Sequence, residues 1–204
     1  MSEGCPEAVT EFTVEVLGEQ LCRNLILSRY TRPTPVQKYS IPIGLTGGDM
    51  MACAQTGSGK TGGFLFPVIA SMLRYGARPE PEDARSRGRS SYISALILAP
   101  TRELASQIYD EAQKFSYCTG LRAVCVYGGA NILQQTKELD MGADLLVATP
   151  GKPVHTTPLY IIYICIYYAF ITVRLLQPVS RHTPYVCKRK LHILVYCTYI
   201  SHNM

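Results

Sequence analysis

The sequence predicts an α/β fold: a parallel, doubly wound sheet with helices packed between its strands. Three observations carry that expectation. Four short apolar runs, Met50 to Ala54, Ala95 to Ala99, Ala123 to Tyr127 and Leu145 to Ala148, are bounded by turn residues and suit buried parallel strands. Helical stretches alternate with them; Thr101 to Phe115 sets Leu104, Ile108, Ala112 and Phe115 on one apolar face. A glycine-rich segment separates the first run from the apolar stretch Phe64 to Leu73, which gives the order strand, loop, helix.

At 204 residues the chain allows one ordinary domain and excludes a large multidomain machine. Its 20 Lys+Arg outnumber its 15 Asp+Glu, a balance of +5. That surplus is local. Residues 1–152 carry 15 basic and 15 acidic side chains, whereas residues 153–204 carry five basic ones (Arg174, Arg181, Lys188, Arg189, Lys190) and no acidic one. Net charge therefore says nothing about nucleic-acid binding by the first three-quarters, and local motifs must carry any such claim. Hydrophobic content of 47% suffices for a core. Glu3, Glu7, Glu11, Glu15 and Glu19 do not suit a secretory signal or transit peptide, so a cytoplasmic location is expected, with the nucleus as the alternative. The eight cysteines form no C-x-x-C pair, which predicts reduced thiols. Nothing in the sequence sets an oligomeric state.

Composition changes sharply after Lys152. Tyr75 to Tyr92 holds Pro79, Pro81, four arginines and three acids without apolar period, and reads as a solvated loop. Beyond Lys152 lie half of the 14 tyrosines, all four histidines and an uncharged run from Leu159 to Val173. That run is short of the ~20 residues a bilayer span needs, which argues against a membrane anchor. His182, Cys187, His192, Cys197 and His202 recur every five residues, a spacing unlike that of zinc ligands, and read as chance.

Chemistry concentrates in Ala54-Gln55-Thr56-Gly57-Ser58-Gly59-Lys60-Thr61. Gly57 and Gly59 let the backbone curl so that successive N–H groups face an anion, and the following helix adds the positive end of its dipole. Lys60 is placed to reach the β and γ phosphates of ATP, and Thr61 to offer its hydroxyl to the Mg²⁺ between them. Ala54 stands where the first glycine of such loops is usual.

With its flanks, this block resembles the DEAD-box family of ATP-dependent RNA helicases, most closely the Vasa-like subgroup. Upstream, Tyr30-Thr31-Arg32-Pro33-Thr34-Pro35-Val36-Gln37 is similar to the family's Q motif, and Phe12 to the isolated aromatic that accompanies it. The resemblance implies that Tyr30 stacks on adenine, that Gln37 hydrogen-bonds its edge, and that Arg32 belongs to the same nucleotide-binding set. A side-chain amide, able to donate and accept at once, suits that edge. Downstream, Pro100-Thr101-Arg102-Glu103-Leu104-Ala105 resembles motif Ia, Gly128-Gly129 the glycine pair, and Thr149-Pro150-Gly151 the next motif. These imply contacts to an RNA backbone, hence binding without sequence reading. Taken alone, each would read as a helix cap or turn.

The resemblance covers about residues 10–152 and implies a partial RecA-like P-loop domain. Residues 1–40 are the N-terminal segment with the Q motif, 41–152 the partial ATP-binding domain, and 153–204 an unrelated Tyr/Ile-rich tail. Two departures lie inside it: Lys152 replaces the family's arginine, and Gly62-Gly63 stand where alanines are usual, at ~1 kcal/mol each in a helix interior.

The acidic motif for which the family is named does not occur. Asp110-Glu111-Ala112-Gln113 spells one variant but falls within the predicted helix Thr101 to Phe115, not at a strand end. The Ser-Ala-Thr motif and the second RecA-like domain are missing too, so no complete catalytic set is expected and no RNA-stimulated ATPase from these residues alone. The sheet is expected to stop before the acidic-motif strand, leaving the strand Met50 to Ala54 short of neighbours and the fold poorly cooperative. Three readings remain open at this point: the first half of a helicase joined to translated non-coding sequence, a non-catalytic product that holds ATP or RNA and competes with the intact enzyme, and a membrane-tethered P-loop protein.

Overall fold

The last of the described strands lies at the centre of the sheet. A computed structural model of the chain describes residues 5–75 and 93–149. In it β1 (Ala95–Leu98), β2 (Ala123–Val126) and β3 (Leu145–Ala148) form a parallel sheet in the order β1-β3-β2. Leu145-Leu146-Val147-Ala148 is apolar at every position and buried at every position, as a strand flanked on both sides must be. Register is continuous across the three: Ala95 and Ala123 both face Leu145, and Leu98 and Val126 both face Ala148.

Alternation along β3 divides two apolar layers. Leu145 and Val147 join the larger one, with Ala95, Ile97, Phe64, Leu65, Phe66, Ile69, Ile108 and Phe115. Leu146 and Ala148 join the smaller, with Val124, Leu139 and Ala143. The larger layer takes in the helices α1 (Val14–Leu17), α2 (Glu19–Leu27), α3 (Pro35–Leu45), α4 (Lys60–Tyr75) and α5 (Arg102–Phe115). The smaller rests on α6 (Ile132–Asp140) through Leu139. At the heart of the larger layer Phe66 meets Phe12, Tyr30 and Phe115 edge-on, with centroids 5.6, 5.6 and 4.9 Å apart. Such T-shaped pairs add about 0.5–1.5 kcal/mol each beyond their buried area.

Helix α5 forms where the apolar face predicts it. Ile108, Ala112 and Phe115 are buried and Leu104 is half-buried, and Thr101 caps the helix by accepting from Leu104 N–H at 3.3 Å. Asp110 to Gln113 therefore lie on a helix, not at a strand end. The glycines of α4 also find a reason: a Cβ on Gly62 would sit 2.6 Å from the Phe66 ring and 2.8 Å from Gln37 Nε2, and one on Gly63 2.8 Å from Ser40 Oγ. They let α3 lie against the start of α4.

The strand expected at Met50 to Ala54 is a correction. Met50 makes an isolated bridge, Met51 to Gln55 have no regular structure, and Met51 and Cys53 are exposed. An apolar run becomes a strand only where a neighbour takes up its N–H and C=O groups, and among the described residues none pairs with Met51 to Ala54. Ala95 and Ala99 of the β1 segment donate to Asp144 and Ala148 on the β3 side, and no described strand pairs with its other side. Residues 76–92 of the expected loop, Pro150, Gly151, Lys152 and the whole tail from Pro153, with its apolar run and its histidines and cysteines, lie outside the described residues. No helix among the described residues is long and apolar enough to cross a membrane.

Candidate functional site

The glycine-rich segment forms a turn that runs directly into α4, which begins at Lys60. Gly57 and Gly59 adopt φ of +77° and +85°, in the left-handed region that favours glycine. The Lys60 ammonium folds back over the loop, donating to the Ala54 carbonyl and to the Gln55 carbonyl at 2.9 Å. Ser58 Oγ is buried with no hydrogen-bond partner among the described residues, and Thr34 Oγ1, near Gly59, takes part in the capping box that opens α3. An orphaned hydroxyl costs about 1–3 kcal/mol, and a phosphate oxygen could satisfy it. The open helix terminus, the left-handed glycines, the lysine and the Ser58 hydroxyl fit a phosphate-bearing ligand.

The upstream motif closes on this loop. Thr34 and Pro35 open α3, and Gln37, fully buried, uses its amide twice: Oε1 accepts from Thr34 N–H at 3.0 Å and Nε2 donates to the Gly59 carbonyl at 3.0 Å. A Cβ on Gly59 would lie 2.6 Å from Gln37 Nε2, so only glycine permits the approach. Tyr30 is half-buried, edge-on to Phe66 and Phe115, with its hydroxyl 3.5 Å from Glu111 Oε2. Burial first, and the Glu111 carboxylate second, push the Tyr30 hydroxyl up, so it remains a donor. Glu111 also pairs with Lys114 at 2.6 Å, which raises the Lys114 ammonium. Arg32, Gln55 and Thr56 are exposed, and Thr61 is half-buried in the first turn of α4. Among the described residues no cluster of three or more His, Cys, Asp or Glu could hold a metal, so Thr61 offers a Mg²⁺ one oxygen. An open cleft of about 750 Å³ lies between α2 and α5, lined by Asn24, Arg29, Tyr30, Glu111, Lys114 and Tyr117 among others. It includes none of residues 54–61, and the chemistry lies with the loop.

A second group assembles at the carboxyl ends of the strands. The register that aligns Leu98, Val126 and Ala148 brings the segments after them to one edge: Pro100-Thr101-Arg102, Tyr127-Gly128-Gly129 and Thr149. Open parallel sheets bind ligands at that edge. Thr149 is buried and donates its N–H to the Val126 carbonyl at 3.1 Å. Pro100, Thr101, Arg102, Gly128 and Gly129 are exposed. The Arg102 guanidinium passes over Gly129, where a Cβ would sit 2.6 Å from Nη2 and the φ of +85° again favours glycine. Two motifs 27 positions apart in sequence are thus in contact. Pro150 and Gly151, expected in this group, lie outside the described residues.

Sequence reasoning missed Gln135. Its side chain accepts from Tyr127 N–H at 2.9 Å and donates to the Tyr127 carbonyl at 3.1 Å, immediately before the glycine pair. No periodicity marks it, because its partner is fixed by how α6 packs beside β2.

A family model described as DEAD/DEAH box helicase matches residues 34–160, which runs past Lys152. Among solved structures, the RNA helicase Prp28 from Chaetomium thermophilum bound to ADP is similar at 36% identity and a TM-score of 0.60, over 72% of this chain and 33% of that one. The yeast DEAD-box splicing factor Prp28 is similar at 32% identity and a TM-score of 0.63, over 73% of this chain and 34% of that one. The chain spans about a third of the length of these structures.

Proposed function

Because the chain belongs to the DEAD/DEAH box helicase family, we propose that it carries the ATP- and RNA-backbone-binding half of such a helicase's first RecA-like domain. The observation that carries this reading is the alignment of Arg102, Gly129 and Thr149 at one end of the sheet, with the Gly57 to Lys60 turn at the start of α4. Lys60 and the loop N–H groups hold the β and γ phosphates, Thr61 contacts Mg²⁺, and Tyr30, Arg32 and Gln37 hold the adenosine. Bound Mg²⁺ would neutralise phosphate charge. Pro100, Thr101, Arg102, Gly128, Gly129, Thr149, Pro150 and Gly151 hold RNA phosphates without reading bases.

Family members hydrolyse ATP, and the reading for these 204 residues alone is binding without RNA-stimulated hydrolysis. Asp110 and Glu111 are helical, and no other acidic pair of the required kind occurs in the sequence. Such a chain acts as a competing ATP- and RNA-binding module or as the non-catalytic part of a helicase. The motif block supports placing it in the Vasa-like subgroup, and the glutamates of its first twenty residues support a cytoplasmic or nuclear compartment.

Two titrations of the full chain test the assignment, one with a fluorescent ATP analogue and one with labelled single-stranded RNA. Lys60→Ala is expected to weaken the first about tenfold or more and spare the second, since a charged hydrogen bond contributes about 1.5–3 kcal/mol. Arg102→Ala is expected to do the reverse. Equal loss of both ligands in both variants would refute two separate sites.

A further inference from the structure

The end of β2 is held by a side chain where a neighbouring strand would otherwise stand. Along a strand, one residue's N–H and C=O point to the same side. The Val126 carbonyl accepts from Thr149 N–H on the β3 side, so Tyr127 turns its N–H and C=O outward, at the edge that no described strand covers. Gln135 meets both groups, at 2.9 and 3.1 Å, and so lengthens β2 by one paired residue. The glycine pair starts at the very next position. On its far side Asn131 caps α6, its Oδ1 accepting from Leu133 N–H at 3.0 Å and Gln134 N–H at 3.4 Å. The short turn Gly128 to Ala130 is pinned at both ends, with the Arg102 guanidinium laid over Gly129.

We propose that Gln135 is a positioning residue for RNA binding: by clamping Tyr127 it fixes the Gly128-Gly129 turn as the platform that aims Arg102 at an RNA phosphate. The inference rests on the RNA reading given above. Gln135 touches no RNA itself and acts through the turn and Arg102. A carboxamide is needed because only a side chain that donates and accepts in one plane satisfies both Tyr127 groups.

The test measures RNA affinity of the full chain across a salt series, with a labelled oligouridine, for wild type, Gln135→Ala, Gln135→Met, Arg102→Ala and Gln135→Ala/Arg102→Ala. Amide hydrogen exchange is followed in parallel at Tyr127 and in β3. Gln135→Met keeps the side-chain volume and loses both bonds, which covers the case in which the alanine variant fails to fold. Expected are faster exchange at Tyr127 with β3 unchanged and weaker RNA binding in both Gln135 variants. A salt slope shallower by about 0.7 would mark the loss of one phosphate contact, and the double variant should bind no worse than Arg102→Ala. Wild-type affinity in Gln135→Met despite faster Tyr127 exchange would overturn the proposal, as would additive losses in the double variant. A wild-type chain that binds no RNA sinks the RNA reading itself, and the inference with it.

Discussion

Gln37 Nε2 donates to the Gly59 carbonyl at 3.0 Å, so the residue expected to read adenine is bonded to the loop expected to hold phosphate. Its Oε1 is also engaged, by Thr34 N–H. A carboxamide has two N–H groups and two lone pairs, so the protein bonds leave one of each, but the side chain is fully buried and offers neither to a base edge in this arrangement. The two bonds tie the upstream motif to the phosphate loop.

Gln37→Glu preserves the acceptor for Thr34 and turns the Gly59 bond into a contact between two acceptors in a buried place. The variant is expected to lose about 1–3 kcal/mol of stability, read by urea denaturation, and to bind ATP more weakly. Unchanged nucleotide affinity would separate Gln37 from the site.

Two left-handed glycines of the same loop make an internal comparison. Gly57→Ala meets nothing within 4 Å and is expected to cost only the backbone strain, about 1–2 kcal/mol. Gly59→Ala adds a clash with Gln37 and Thr34, roughly another 1–3 kcal/mol. Denaturation midpoints for the two should differ in that order.

At the strand ends, Gly129→Ala drives a methyl into the Arg102 guanidinium, whereas Gly128→Ala enters open space. RNA affinity is expected to fall further in the first than in the second. Gly129→Ala also carries the backbone strain of φ +85°, about 1–2 kcal/mol, so stability should fall along with binding.

Phosphate release from ATP by the 204-residue chain is expected to stay at the level of Lys60→Ala whether or not RNA is added. Catalysis of this transfer needs a metal-holding carboxylate and transition-state arginines. A rate that rises with RNA and vanishes in Lys60→Ala would defeat the expectation.

Burial, then the Asp110 charge, pushes the Cys125 thiol from 9.0 up to about 11. A group whose pKa is raised by folding binds its proton more tightly in the native state, so its contribution is complete below pH 9.0 and lost as pH climbs toward about 11. Melting temperatures taken from pH 8 to 11 under reducing conditions should therefore fall less steeply for Cys125→Ala than for wild type. Tyr30 and Tyr109, also raised mainly by burial, sustain the decline in both proteins.

Elements that declare themselves through local pattern were readable from sequence. Ala95–Leu98, Ala123–Val126 and Leu145–Ala148 are apolar runs between turn residues, and α5 shows its buried face at helical spacing. Met50 to Ala54 has the same composition and fails to become a strand, because pairing depends on what lies beside it and not on what it contains. Gly62 and Gly63 looked like a weakness of α4, and only the packing of Gln37 and Ser40 shows why a side chain there would collide. Motif residues Gln37, Gly59, Arg102 and Gly129 were identifiable one by one, but their pairwise contacts belong to the tertiary structure. Gln135 was invisible for the same reason.

The order β1-β3-β2 also sets a timetable for synthesis. Strands β1 and β2 touch only through β3, whose residues 145–148 are translated after both. A nascent chain that has reached residue 140 can form its described helices but not the described sheet, so the larger apolar layer lacks Leu145 and Val147 on that flank. Chains emerge at about 5–20 residues per second, so the interval is short. Its length is set by the arrival of Leu145-Leu146-Val147-Ala148, and a ribosomal pause just before them would prolong the stage most exposed to chaperones.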